Sequence, residues 1–317
     1  MSRKDHRSQG KYIIPRIDSG FKILFGTEDT KDILIGFLND LLEINETDPI
    51  EDIEFIDKEK PATKNIERES IYDIHCKTTC NKRFIVEMQN FPQPYFLDRS
   101  IFYAARAICE QAKRGKWPYS YMPVYGVFIC DFAIPGNEGE VRIDADIRIK
   151  KSKKPLTDKL NLIYVQLSEF KKKNPEACVN DFERWVYLLK YLETMSTIPF
   201  AGMKEAFRRV ENVGRVENLK GDDLVRYEHD LKAYRDYHAQ LLYASTEGLN
   251  QGITKGMAKG IEEGMAKGMA KGMAQGKAEI IRTLIDSGLT ISEIAVRLRI
   301  SQSDIENLLS ITPPLNN

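Results

Sequence analysis

Three residues in one short stretch have the types and spacing for metal-dependent chemistry. From Ile71 to Phe91 the chain reads IYDIHCKTTCNKRFIVEMQNF, which contains Asp73, Glu87 and Gln89. Residues 71–78 and 84–88 are rich in β-branched and aromatic types, and a polar turn, Cys80-Asn81-Lys82, lies between them. That pattern predicts a β-hairpin. Side chains alternate faces along a strand, so Asp73 shares a face with Ile71, His75 and Lys77, while Ile74 and Cys76 point the other way. On the second strand Glu87 and Gln89 share a face with Ile85, opposite Val86 and Met88. A turn near Cys80 or Asn81 sets Asp73 across from the neighbourhood of Glu87, where opposed Cβ atoms are roughly 5 Å apart. A slip of one residue would separate the faces.

Two carboxylates that close are costly unless a charge neutralises them. A hard divalent cation does so: Mg²⁺ takes oxygen ligands at about 2.1 Å, commonly one or two carboxylates with waters and phosphate oxygens. Such an ion polarises a phosphodiester and helps generate a hydroxide nucleophile. Gln89 is suited to orienting that water through either end of its amide, but it supplies no positive charge.

The elements that must hold this hairpin are legible around it. Phe21, Leu24 and Phe25, then Ile33, Leu34, Phe37, Leu38 and Leu41, predict two helical stretches, the second capped by Asp29 or Thr30. Residues 50–57 predict a short strand. Pro92 and Pro94 end the hairpin, and Phe96–Lys113 has helical spacing that carries Arg99, Tyr103, Arg106 and Gln111. Residues 123–132 read as a buried strand, 141–149 as an alternating exposed one and 162–168 as another. Asp181–Leu192 and 223–243 predict packing helices. Strands mixed with flanking helices indicate an α/β sandwich on a mixed sheet.

Composition narrows the partners. The chain has 317 residues with 47 Lys+Arg against 47 Asp+Glu, so no global basic charge draws it to nucleic acid. DNA contact would have to use local patches, such as Lys150–Lys154 and Lys171–Lys173. Five scattered cysteines point to a reducing compartment. No apolar run approaches a membrane span, and the N-terminal residues 1–11 are polar. The expectation is a cytoplasmic protein with no membrane partner.

Asp73, thirteen intervening residues and then Glu87-Met88-Gln89 resemble the PD-(D/E)XK phosphodiesterase motif, with Tyr72 in place of its proline and Gln89 in place of its lysine. More of the chain is similar to one branch of that superfamily, the recombination-promoting nucleases (Rpn), also called PD-(D/E)XK transposases. The matching pieces are Asp18–Gly26 (DSGFKILFG), Phe37-Leu38-Asn39, the Glu87–Gln89 strand, Arg99–Tyr103 with Gln111, and Pro123–Asp131. They cover most of residues 12–245, and a Gln after the Glu is common in that family.

The resemblance implies a restriction-endonuclease-like mixed sheet flanked by helices. It further implies a divalent-metal-dependent DNA endonuclease linked to recombination or mobile elements. Asp73 and Glu87 would bind Mg²⁺, or another divalent ion such as Mn²⁺ or Ca²⁺, and Gln89 would complete the catalytic set. Lys22, with Asp18, flanks the active site, and Lys22, Arg99 and Gln111 are candidate DNA contacts. The alternative is a non-catalytic DNA-binding or protein-interaction module that retains the fold.

Beyond this domain (12–245), glycines recur at every fourth position from Gly248 to Gly276, with Met-Ala-Lys as a recurrent filler between them. Residues 246–277 therefore read either as a flexible linker, since each helical glycine costs about 1 kcal/mol relative to alanine, or as a helix with a glycine stripe. Four-residue spacing advances about 40° past a full turn each time, so the stripe would spiral right-handedly and admit another helix closely. The strict period and the good helix formers favour the helix, with homo-oligomerisation as its purpose. Residues 278–311 resemble a helix-turn-helix unit. Its would-be recognition helix is acidic or neutral at Gln302, Asp304, Glu306 and Asn307, which suits packing or interaction better than major-groove entry.

Overall fold

The computed structural model describes residues 10–43, 49–56 and 72–311. Residues 1–9, residue 57 and Ile71, on which parts of the N-terminal and strand expectations fall, lie outside the described residues. The chain divides into two compact units, one up to Asp236 and one from Tyr237 onward.

The first unit is built on a six-stranded mixed sheet. Its strands are β1 (Ile53–Phe55), β2 (Ile74–Thr78), β3 (Arg83–Gln89), β4 (Val124–Cys130), β5 (Arg142–Asp146) and β6 (Leu160–Gln166), in the spatial order β1-β2-β3-β4-β6-β5. β1, β2 and β3 are antiparallel, β3, β4 and β6 run parallel, and β5 returns antiparallel on the edge. The continuous apolar run Val124–Cys130 sits in the middle because both its faces are covered. β5, half-polar, sits at the rim.

Helices cover each face. α1 (Asp18–Phe25), α2 (Lys31–Leu41), α4 (Asp181–Tyr191) and α5 (Glu205–Val213) share one core with Ile74, Cys76, Phe84, Val86 and Met88. The rings of Phe25, Phe37, Trp185 and Phe207 meet there. On the other face α3 (Phe96–Cys109) packs Phe96, Ala104 and Ala107 with Ile85, Phe128 and Tyr164. Alanines at the contact let this helix lie close, and a buried Ser100 Oγ–Tyr164 OH bond of 2.6 Å fixes it to β6.

Several boundaries differ from the sequence expectation. α3 stops at Cys109 rather than Lys113, because the chain must reverse to enter β4; Gly115 takes φ +88° in that reversal. α5 has no counterpart in the sequence reading, since its buried face is only Phe207 and Val210, one turn of pattern. Thr30 does occupy the N-cap of α2 but does not cap it: its hydroxyl bonds Thr27 Oγ1 at 2.9 Å.

α6 runs from Gly221 to Asp286, so the glycine repeat is helical. The first unit holds its start, where Tyr227 OH accepts the N–H of Ile14 at 2.9 Å. In the second unit, a β-carbon added at any glycine from Gly248 to Gly276 would meet nothing within 4 Å among the described residues. The residues that follow seven of these glycines, from Leu249 to Met273, are more than half exposed.

The helix ends at Asp286, just before Gly288, which has φ +92°. α7 (Ile291–Leu298) starts with a capping box, Thr290 with Glu293, and α8 (Gln302–Ile311) starts at Ser301, whose Oγ accepts from Asp304 N at 3.0 Å. Ile281, Ile294 and Ile305 form the small core of this end. No helix among the described residues is long and apolar enough to cross a membrane.

Candidate active site

The β2–β3 hairpin has the register that the face pattern requires. Its turn is closed by Asn81 N–Thr78 O (2.8 Å) and Thr78 N–Lys82 O (2.9 Å). Asn81 takes φ +58°, a region that Asn tolerates better than most residues. Ile74 pairs with Val86 and His75 with Ile85, which puts Asp73 opposite Glu87. Even-numbered side chains of β3 enter the larger core. Asp73, His75, Glu87 and Gln89 lie on the face toward α3.

The two acids are fastened crosswise to the opposite strand. Asp73 N donates to Glu87 Oε1 at 3.1 Å, and Met88 N donates to Asp73 Oδ2 at 2.8 Å. Glu87 is only 3% exposed, Asp73 is half-buried, and backbone donors stabilise the charge on each carboxylate. Gln89 Nε2 donates to Glu87 Oε2 at 3.4 Å, and Gln89 Oε1 accepts from Arg99 Nη2 at 2.6 Å. This amide orientation follows from charge: reversed, the carbonyl would face a carboxylate and the NH₂ a guanidinium. Arg99 also bonds Gln93.

Sequence reasoning gives no role to one contributor, Tyr103. It lies one turn after Arg99 on α3, with the guanidinium 5.8 Å from its ring centre. Burial raises its phenol pKa, as do the charges of Glu87 and Asp73, against the lowering effect of Arg99. The phenol therefore stays protonated, a donor in the field of both carboxylates. The available signal is the i, i+4 spacing of Arg99 and Tyr103 on one helix face. Tyr72 packs its ring edge-on against that of Tyr103, 5.3 Å between centres, and its phenol is raised chiefly by burial.

The remaining candidates stand elsewhere. Lys22 pairs with Asp18 at 2.6 Å and lines a cleft of about 570 Å³ with Ser19, Arg226, His229 and Asp230. None of Asp73, Glu87 and Gln89 lines that cleft. Gln111 accepts from Met122 N at 2.8 Å and donates to Met122 O at 3.2 Å, so its amide closes the loop after α3. Lys172 of the second basic run is paired with Glu183, whereas the first run is exposed.

The donor set at the hairpin fits a hard cation. Asp73 and Glu87 offer oxygen only, and each carboxylate has about four lone-pair directions, so backbone anchoring is compatible with ligation. Thiolate chemistry is remote: Cys76 faces the opposite core, its thiol pushed by burial up to about 12, and Cys80 is exposed in the turn. Among the described residues no cluster of three or more His, Cys, Asp or Glu is placed to hold a metal. Two carboxylates with waters and phosphate oxygens are the Mg²⁺-type arrangement.

A mixed sheet with helices on both faces, whose central hairpin opposes two acids, defines a restriction-endonuclease-like protein. The family model described as PD-(D/E)XK nuclease family transposase matches residues 15–244, and the chain belongs to that family. Its function is accordingly of the nuclease type. No curated protein and no solved structure matches the chain.

Proposed function

We propose that the chain is a divalent-metal-dependent DNA endonuclease. The observation that carries this reading is the direct opposition of Asp73 and Glu87, each bonded to the other strand's backbone. These two residues would hold the ion. When bound, it would supply Lewis-acid polarisation of the phosphodiester and a water acidic enough to act as nucleophile.

The chain's own groups do the rest. Gln89 bonds Glu87 and Arg99, and its second amide proton and second carbonyl lone pair are the groups that would orient the attacking water. Its amide brings no positive charge. The Arg99 guanidinium, one hydrogen bond away, brings that charge to the place where phosphoryl oxygens become more negative. Protonated Tyr103 is a second donor on the same side. The transposase label in the family description supports a link to recombination or mobile elements. The exposed glycine stripe of α6, with no neighbour among the described residues, supports self-association through that helix.

The test is plasmid nicking by the purified protein in Mg²⁺, Mn²⁺, Ca²⁺ and EDTA. Asp73→Ala should abolish ion-dependent nicking. Equal cleavage by the variant would assign the activity elsewhere, and DNA retention without cleavage, insensitive to EDTA, would identify a binding module.

A further inference from the structure

The loop after α3 combines exposed cations with aromatic rings. Between Glu110 and Asp131 there is no acidic residue, yet Lys113, Arg114 and Lys116 fall within four positions, followed by Trp117 and Tyr119. All three cations are exposed. None of them forms an ion pair with the described residues, whereas Arg83 and Arg106 beside them are both paired with Glu110. Tyr119 is 79% exposed and takes φ +56°, a left-handed conformation that a bulky side chain adopts only when held there. Its ring centre lies 5.0 Å from that of Trp117, tilted by 40°. Gln111 clamps the loop shut through both bonds to Met122, so rings and charges sit on a closed frame.

From this we infer that the 113–119 loop is a binding platform for unpaired nucleic acid, with the cations on phosphates and the two rings stacking bases. Cations alone would serve any polyanion. The exposed ring of Tyr119 and the half-buried ring of Trp117 among them suit a flat apolar partner, and a base offers its face only when it is out of a duplex. With zero net charge on the whole chain, a local patch must provide the attraction. Within α3, Arg99 at the carboxylates and Cys109 at this loop are ten residues apart. At about 1.5 Å per residue that is roughly 15 Å, or about four to five stacked nucleotides at roughly 3.4 Å each. The platform would hold a single-stranded stretch leading away from the cutting site. The inference rests on the nuclease reading for the identity of the polymer only, and its test needs no cleavage.

The experiment is binding of fluorescein-labelled dT20 to the full chain in EDTA, read by anisotropy at several salt concentrations, with Trp117 emission recorded in parallel. The expected result is saturable binding with Trp117 quenching that is lost in Trp117→Phe. The double variant Trp117→Ala/Tyr119→Ala should weaken binding by roughly 5- to 100-fold per ring. The triple variant Lys113→Ala/Arg114→Ala/Lys116→Ala should flatten the slope of log K against log salt by about 2. Thermal melts check that each variant is folded, and measuring in EDTA, where ion-dependent cleavage cannot occur, separates this site from the catalytic reading. Unchanged affinity in both loop variants overturns the inference. So does a Trp117 response to phosphatidylserine vesicles with none to dT20, which would assign the loop to a membrane surface.

Discussion

Asp73→Asn tests the electrostatics of the hairpin directly. The new amide keeps an oxygen to accept the Met88 N–H, and its NH₂ can donate to Glu87. The substitution removes one of two like charges held on opposed strands. Two unit charges roughly 5 Å apart at an effective dielectric of about 20 repel by about 3 kcal/mol. The backbone N–H groups at 2.8 and 3.1 Å offset part of this, leaving a net gain of about 1–2 kcal/mol from the substitution. For a unit of this size that is a rise of roughly 2–8 °C in the melting temperature of the sheet unit in EDTA. Divalent ion at about a hundred times its Kd should add about 2.7 kcal/mol to the parent and little to the variant. Differential scanning calorimetry in EDTA and in saturating Mg²⁺ should therefore show the order of the two proteins reversing. A variant less stable than the parent in EDTA, with the same Mg²⁺ response, would refute both the repulsion and the ion site.

Three further outcomes are expected. Arg99→Ala frees the Gln89 amide to rotate, and should lower kcat by about 100-fold with KM nearly unchanged, while adding Gln89→Lys restores a local charge and part of the rate; a raised KM with intact kcat would reduce Arg99 to a phosphate contact. Tyr227→Phe leaves the Ile14 N–H without its acceptor and should cost about 1–3 kcal/mol in urea unfolding at pH 8. Burial pushes the Tyr227 phenol up to about 12 in the fold, so the parent's stability is intact below the unfolded value near 10 and declines as pH rises toward 12; the variant should lack that decline. Alanine at Gly256, Gly260, Gly264 and Gly268 meets no neighbour among the described residues and should raise helicity by circular dichroism, about 1 kcal/mol per site. If a second copy lies on the stripe, the mass in sedimentation should fall in the same variant; an unchanged mass would discard the self-association.

Much of the architecture is legible in the residues because local pattern and burial agree. Val124–Cys130 is apolar without alternation and is buried on both faces. The alternation around Asp73 and Glu87 sets their common face from sequence alone. What sequence leaves unread depends on contacts distant along the chain. Gln111 and Arg99 share one helical pattern and are indistinguishable there as polar groups. Only the packed chain shows Arg99 against Gln89, and Gln111 turned to Met122. Lys22 carries a role by resemblance, and the fold gives it Asp18 as partner and a separate cleft. The glycine repeat divides between linker and helix because propensity and periodicity disagree there; the helix prevails, and its exposed stripe shows that nothing within the described chain explains the period.

The crosswise bonds of Asp73 and Glu87 have a consequence for how such a site can decay. Each acid holds the main chain of the other's strand, so the residues proposed for cleavage also act as pins of the hairpin. Losing either one to an apolar side chain would strip a backbone N–H of its acceptor and loosen the alignment of β2 on β3. Amide replacements escape that penalty. Silenced descendants of this chain should therefore carry Asn or Gln at positions 73 and 87 more often than Ala or Val.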